Sequence, residues 1–205
     1  STLAPGTILS GTNPLSIRID PTGHYAYASN EADNTVSQYS IAAAGGLTPM
    51  VPATIATGST PRGLAIDPSG QYAYCVNSGS NTLSQYTISG VDGKLTAMAP
   101  ATVITGTSPE SVAIDPSGRY AYVLNYASNT VSQYTISAVN GTLSPMTPAT
   151  VITETHPVSM VVDPSGRYAY VVNNGSNTLS QFSISTVNGT LSAMTPATVI
   201  TGTNP

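Results

Sequence analysis

Three side chains of complementary chemistry stand at one recurring place in this chain. Arg62, Glu110 and His156 each lie next to a proline, Pro61, Pro109 and Pro157. A guanidinium, a carboxylate and an imidazole brought together can hold an anion and activate water, with the carboxylate or the imidazole taking the proton. The bland alternative is a set of surface charges of the kind that contribute little. Arg18 is a further candidate, because Ala65, Ala113 and Val161 occupy the matching places. It either points into a channel and reads an anion or reaches solvent. Glu31, Asp33, Tyr126, Glu154 and Asn174 complete the residues that break a repeating text at loop positions, where sister copies carry mostly small or neutral residues.

Other chemistries find less support. His24 follows a turn that closes the strand His156 would enter, so the two imidazoles fall at opposite ends, ~20 Å apart at ~3.3 Å per residue, and a shared metal is excluded. Asp20, Asp67, Asp115 and Asp163 each precede Pro-Ser-Gly or Pro-Thr-Gly and read as turn caps, not calcium ligands. Cys75 stands where sister copies have Ala28, Val123 and Val171, which makes it a small buried residue and not a nucleophile. With no nucleophile elbow, phosphate loop or zinc motif, no cofactor and no metal are expected.

Composition narrows the partners. Only 7% of residues are charged and the net charge is -4, so no basic cluster exists to neutralise phosphates, and nucleic acid and anionic membrane are poor partners. No apolar stretch reaches the ~20 residues of a spanning helix, and a lone cysteine forms no internal disulfide framework. A charged-then-apolar leader is missing, which does not settle the compartment.

The elements that must position these residues come from a repeat. Pro14, Pro61, Pro109, Pro157 and Pro205 are spaced by 47, 48, 48 and 48 residues, each within matching text. In the third copy, Val112-Ala113-Ile114 is a short apolar run closed by Asp115-Pro116-Ser117-Gly118, a type I turn signature. Tyr120–Leu124 is a second run, closed by residues 125–129. Thr130–Ile136 alternates with period two, Asn140-Gly141 marks a hairpin, and a fourth strand is expected over Ala149–Thr153. Such a meander is apolar on both faces, so its copies must stack face to face. Period and strand count favour radial stacking into a β-propeller over a sandwich or a solenoid. The fold expected is therefore all-β, with four-stranded antiparallel blades near 14–60, 61–108, 109–156 and 157–205. A duplicated outer strand is expected at 3–13, because the text of 3–14 matches 194–205.

The motif Tyr122-Val123-Leu124-Asn125 and Tyr170-Val171-Val172-Asn173, degenerate as Tyr74-Cys75-Val76-Asn77 and Tyr27-Ala28-Ser29-Asn30, resembles the YVTN-type β-propeller repeat. The resemblance implies relatives among bacterial and archaeal surface proteins and propeller lactonases, about seven blades per ring, and a location outside the cell or at its surface. Four copies fall short of seven. Three arrangements remain open: a closed four-bladed ring, a part of a longer ring, or two chains forming an eight-bladed ring, so that monomer and homodimer stand level.

If strand one descends, the Asp-Pro-Ser-Gly turns share the bottom with the hairpins, and the repeat-breaking residues share the top. Loops on a rigid scaffold are the usual seat of binding, so the top opening is the default site. Two functions follow. The preferred one is a non-catalytic scaffold or binding module, not an enzyme, taking a glycan or protein through Arg62, Glu110, His156, Glu154, Arg18, Tyr126, Glu31 and Asp33. The alternative, permitted by the resemblance, is a lactone hydrolase of the 6-phosphogluconolactonase-like propeller type, with His156, Glu110 and Arg62 acting on an anionic sugar lactone.

Overall fold

The computed structural model describes residues 6–203 and 205. Among these residues sixteen strands form four sheets, each a four-stranded antiparallel meander in chain order. Blade 1 comprises β1 (Pro14–Ile19), β2 (Tyr25–Asn30), β3 (Thr35–Ile41) and β4 (Leu47–Ala56); blade 2 comprises β5 (Pro61–Ile66), β6 (Tyr72–Asn77), β7 (Thr82–Ile88) and β8 (Leu95–Ile104). Blade 3 comprises β9 (Pro109–Ile114), β10 (Tyr120–Asn125), β11 (Thr130–Ile136) and β12 (Leu143–Ile152); blade 4 comprises β13 (Pro157–Val162), β14 (Tyr168–Asn173), β15 (Thr178–Ile184) and β16 (Leu191–Ile200). The first strands of successive blades adjoin one another at the centre, and the fourth strands lie outermost.

Local chemistry accounts for the turns. Asp115 Oδ1 accepts the amides of Arg119 and Tyr120, Oδ2 accepts the amide of Ser117, and Gly118 supplies the left-handed residue at φ 71°. Blade 4 repeats this at Asp163, where the Ser165 hydroxyl, outweighing slight desolvation and helped by backbone amides, holds the carboxyl down to about 2. The fourth strand is longer than the sequence indicates. It starts at Leu143 and passes through the cis Thr147-Pro148 bond, which an outermost strand tolerates because its outward N–H groups need no ladder partner. There the ladder slips, and Gln133 Nε2 donates to the Pro148 carbonyl at 3.0 Å.

Each blade has a front face, which meets the next blade, and a back face, which meets the one before. Tyr27 and Val36 on the front of blade 1 pack with Leu64, Cys75 and Tyr86 on the back of blade 2. Tyr74, Val76 and Leu83 meet Val112, Val123 and Tyr134 in the same way, and Tyr122, Leu124 and Val131 meet Met160, Val171 and Phe182. Hydrogen bonds set the alignment: Tyr74 Oη donates to Gly141 O and Tyr122 Oη to Gly189 O, both at 2.6 Å. Cys75 is fully buried, and desolvation pushes its thiol up to about 12.

Among the described residues the four blades do not close on one another. Ile17 on the back of blade 1 is 52% exposed, whereas its counterparts Leu64, Val112 and Met160 are buried; Leu179 on the front of blade 4 is half-buried, whereas its counterparts Val36, Leu83 and Val131 are fully buried. The arrangement expected as a closed four-bladed ring is thereby excluded. Four blades instead form an open arc. The duplicated outer strand also needs correction: residues 3–5 lie outside the described residues, and 6–13 pair with no strand because no third strand runs beside them. They still make the contacts of an outer-strand end. Ile8 packs on Ala28 and Tyr39, and Tyr39 Oη donates to Leu9 O at 3.0 Å, as Tyr86 Oη does to Ala56 O.

Candidate functional site

The loops entering each first strand and those joining second to third strands lie at one end of the arc. Asn34 connects them, its Oδ1 accepting the Thr60 amide at 2.8 Å and its carbonyl the Thr57 amide at 3.0 Å. Arg62 follows Pro61 at the start of β5, and Glu110 follows Pro109 at the equivalent place one blade on. Stacking the blades therefore brings two side chains 48 residues apart into contact.

Arg62 Nη1 lies 2.8 Å from Glu110 Oε1 and 3.2 Å from Oε2, while Nη2 lies 3.1 Å from Glu31 Oε1. One guanidinium thus links blades 1, 2 and 3. Glu31 is further held by Asn13 Nδ2 through its other oxygen. Arg62 Nε is buried and has no partner among the described residues. Arg62 and Glu110, with Ser78, Ser108, Tyr126 and Val158, line a cavity of ≈ 440 Å³. Two carboxylates face one guanidinium, so the pocket carries excess negative charge and offers hydroxyls from Ser78, Ser108 and Tyr126.

His156 does not join Arg62 and Glu110. It precedes Pro157, whereas they follow their prolines, so the true counterpart of Arg62 and Glu110 is Val158, two residues on. His156 sits at φ 54°, its amide donating to Asn129 Oδ1, and its ring stacks on Tyr126 at 4.4 Å between centroids and 7° between planes. Tyr126 therefore lines the cavity on one side and meets His156 on the other. Glu154 is exposed and outside the cavity. Asp33 caps the loop before β1, accepting the Thr12 amide at 2.6 Å, and Asn174 Nδ2 reaches Pro205 O at 3.4 Å. Arg18 lines a separate groove of ≈ 390 Å³ along the inner strands, with Ala65, Ala113 and Val161, and donates to Ile17 O. His24 lies at the opposite end, in a cavity of ≈ 580 Å³ with Tyr25 and Tyr72. Sequence reasoning missed Ser78, Ser108 and Val158. Alignment of the Pro61-Arg62, Pro109-Glu110 and Pro157-Val158 pairs held the signal for Val158; Ser78 aligns with Glu31, Tyr126 and Asn174 and Ser108 with Asn13, Thr60 and His156, so both stood at variable loop positions where only the charged, aromatic and amide residues drew notice.

A family model described as "Lactonase, 7-bladed beta-propeller" matches residues 1–107. No curated protein matches the sequence. Among solved structures, a putative 6-phosphogluconolactonase from Bacteroides fragilis is similar at 24% identity and TM-score 0.83, over 94% of this chain and 56% of its own. One from Bacteroides uniformis gives 18% and 0.81, over 95% and 60%. A periplasmic gluconolactonase from Pseudomonas aeruginosa gives 23% and 0.79, over 93% and 55%. The chain thus spans little more than half the length of these structures. The match to a lactonase model overturns the expectation of a non-catalytic scaffold for a glycan or protein, and with it the expectation of no enzyme.

Proposed function

We propose that this chain, which belongs to the lactonase family of seven-bladed β-propellers, contributes to hydrolysis of a sugar lactone at its top-face cavity. The carrying observation is the Arg62–Glu110 pair in that cavity. Glu110 is the base: its carboxylate takes a proton from water as the water oxygen attacks the lactone carbonyl. Negative charge then builds on the carbonyl oxygen, where Ser78, Ser108 and Tyr126 offer hydroxyl donors, while Arg62, both of whose terminal nitrogens face carboxylates, holds Glu110 in place. Collapse of the tetrahedral species breaks the ring C–O bond, and the proton held by Glu110 passes to the departing alkoxide. Tyr126, Ser78 and Ser108 supply hydroxyls for the sugar.

The charge balance favours an unphosphorylated lactone. Both terminal nitrogens of Arg62 already face carboxylates, and a phosphate dianion would meet Glu110 with no cation of the cavity left to neutralise it. Within the family we place the repeat in the YVTN type, on Tyr122–Asn125 and Tyr170–Asn173. We also place the protein outside the cytoplasm, as the Pseudomonas aeruginosa relative is described.

Acid release from glucono-δ-lactone above the spontaneous rate, followed at constant pH, tests this. Glu110→Gln should lower kcat by about 10²-fold or more, with folding intact. Unchanged turnover in that variant, or none in the wild type, would overturn the assignment.

A further inference from the structure

The end of the blades opposite Arg62 and Glu110 carries a second break in the repeat. Each blade turns from its first to its second strand through an aspartate, and the residue four places on stands beside the tyrosine that opens the second strand. In blades 3 and 4 that residue is an arginine. Arg119 lays its guanidinium 4.9 Å from the centroid of the Tyr120 ring, and Arg167 lies 5.8 Å from that of Tyr168. The cation meets the negative face of the ring and brings positive charge into the turn built on Asp115 or Asp163.

Blades 1 and 2 have His24 and Gln71 at that place. The His24 ring meets Tyr25 edge-on, at 6.3 Å and 71°, and the Gln71 amide is neutral. Their turn aspartates are nonetheless as buried as Asp115, and among the described residues no cation pairs with Asp20 or Asp67. The junction between these two blades is formed, since Tyr27 Oη donates to Gly93 O across it. It is also where the surface opens. The cavity of ≈ 580 Å³ is walled by Asp20, His24 and Tyr25 of blade 1 and by Gln71, Tyr72 and Gly90 of blade 2, with no arginine or lysine in its lining. Gly90 replaces Ala138 and Thr186 of the sister blades, and nothing lies within 4 Å of the place its Cβ would take.

We propose that this cavity binds a small organic cation, an alkylguanidinium or alkylammonium, in the role that Arg119 and Arg167 fill in the sister blades. The molecule supplies the pattern itself, because the same frame of aspartate and tyrosine holds a guanidinium twice. A bare metal ion is the wrong occupant, since the carboxylate oxygens are already engaged. Asp20 Oδ1 accepts the Tyr25 amide at 2.7 Å and Oδ2 the Thr22 amide at 3.0 Å, while Asp67 Oδ1 accepts the amides of Gln71 and Tyr72 at 2.9 and 2.7 Å. The two carboxylates act on the cavity by charge across space, which suits a weakly hydrated cation resting on an aromatic ring. An anion would meet both with no cation to receive it. The site is independent of the lactonase assignment, since it lies at the other end of the blades and shares no residue with that cavity.

Titration of the ¹⁵N-labelled chain with n-butylguanidinium chloride at pH 7, followed through amide chemical shifts, tests the proposal. Sodium chloride at matched ionic strength and the neutral n-butylurea are the controls. Saturable shifts are expected at the amides of Thr22–Tyr25 and Ser69–Tyr72, with a millimolar Kd, and none with n-butylurea. Gln71→Arg gives blade 2 the residue of blades 3 and 4 and should abolish binding. Gln71→Glu adds a carboxylate to the cavity wall and should lower Kd about twofold to fivefold. Circular dichroism checks that both variants fold. No saturable shift at these amides, equal shifts with n-butylurea, or binding that survives Gln71→Arg or fails to tighten in Gln71→Glu would overturn the proposal.

Discussion

Glu154→Gly should stabilise the protein, because Glu154 leaves a buried acceptor without its donor. In blades 1 to 3 a buried asparagine at the end of the second strand accepts an amide from the segment entering that blade. Gly11 donates to Asn30 Oδ1 and Gly58 to Asn77 Oδ1, both at 3.1 Å, and Gly106 donates to Asn125 Oδ1 at 3.0 Å. The approach requires glycine: a Cβ at Gly58 or Gly106 would lie 2.7 or 2.6 Å from the asparagine Cγ. Blade 4 has Glu154 at this place, and Asn173 Oδ1 is buried with no partner among the described residues. An unsatisfied buried acceptor costs about 1–3 kcal/mol, and glycine's extra chain entropy takes back about 0.5–1 kcal/mol. The net gain centres on about 1 kcal/mol and reaches about 2.5 kcal/mol at most, which for a chain of this size raises Tm by roughly 2–10 °C. Calorimetry and urea unfolding measure it, and Asn173→Ala provides the second arm of a double-mutant cycle. A gain that persists in the Asn173→Ala background, or no gain at all, would refute the account.

Phe182 interrupts a second series, since Tyr86 and Tyr134 donate from the same position to Ala56 O and Ile104 O. Phe182→Tyr should reach the equivalent Ile152 carbonyl and raise the free energy of urea unfolding by about 0.5–1.5 kcal/mol. Acid should weaken the fold in a defined window. Asp163 titrates at about 2, and Asp20 is lowered because bonds from the Thr22 hydroxyl and nearby amides outweigh its desolvation. Their contribution is complete above the unfolded value of about 4 and lost as pH falls towards 2; a midpoint for urea unfolding that stays flat over that range would contradict it. Cys75, with its thiol raised to about 12, should react with Ellman's reagent at pH 8 only as fast as the native state opens. Fast labelling of the folded protein would show that the thiol is accessible.

Strand positions, turns and blade stacking were legible because each follows from short-range chemistry repeated four times. Asp-Pro-Ser-Gly caps its own turn, period-two segments make strands, and a sheet apolar on both faces needs a sheet on each side. The fourth strand was only half visible, since Pro148 argues against a strand until its outermost place in the blade is known. Arg62 and Glu110 were paired correctly because they share a repeat position. His156 was misplaced by two residues, enough to send its ring to Tyr126 and leave Val158 facing the cavity. Glu31 bridging Arg62 from a neighbouring blade, the orphaned Asn173 carbonyl and the open ends of the arc depend on the angle between blades. That angle comes from how side chains fill each junction, a property of packed volumes across sheets that a string of residues does not display; the blade itself is written in the residues of one repeat, and the ring is decided only between blades.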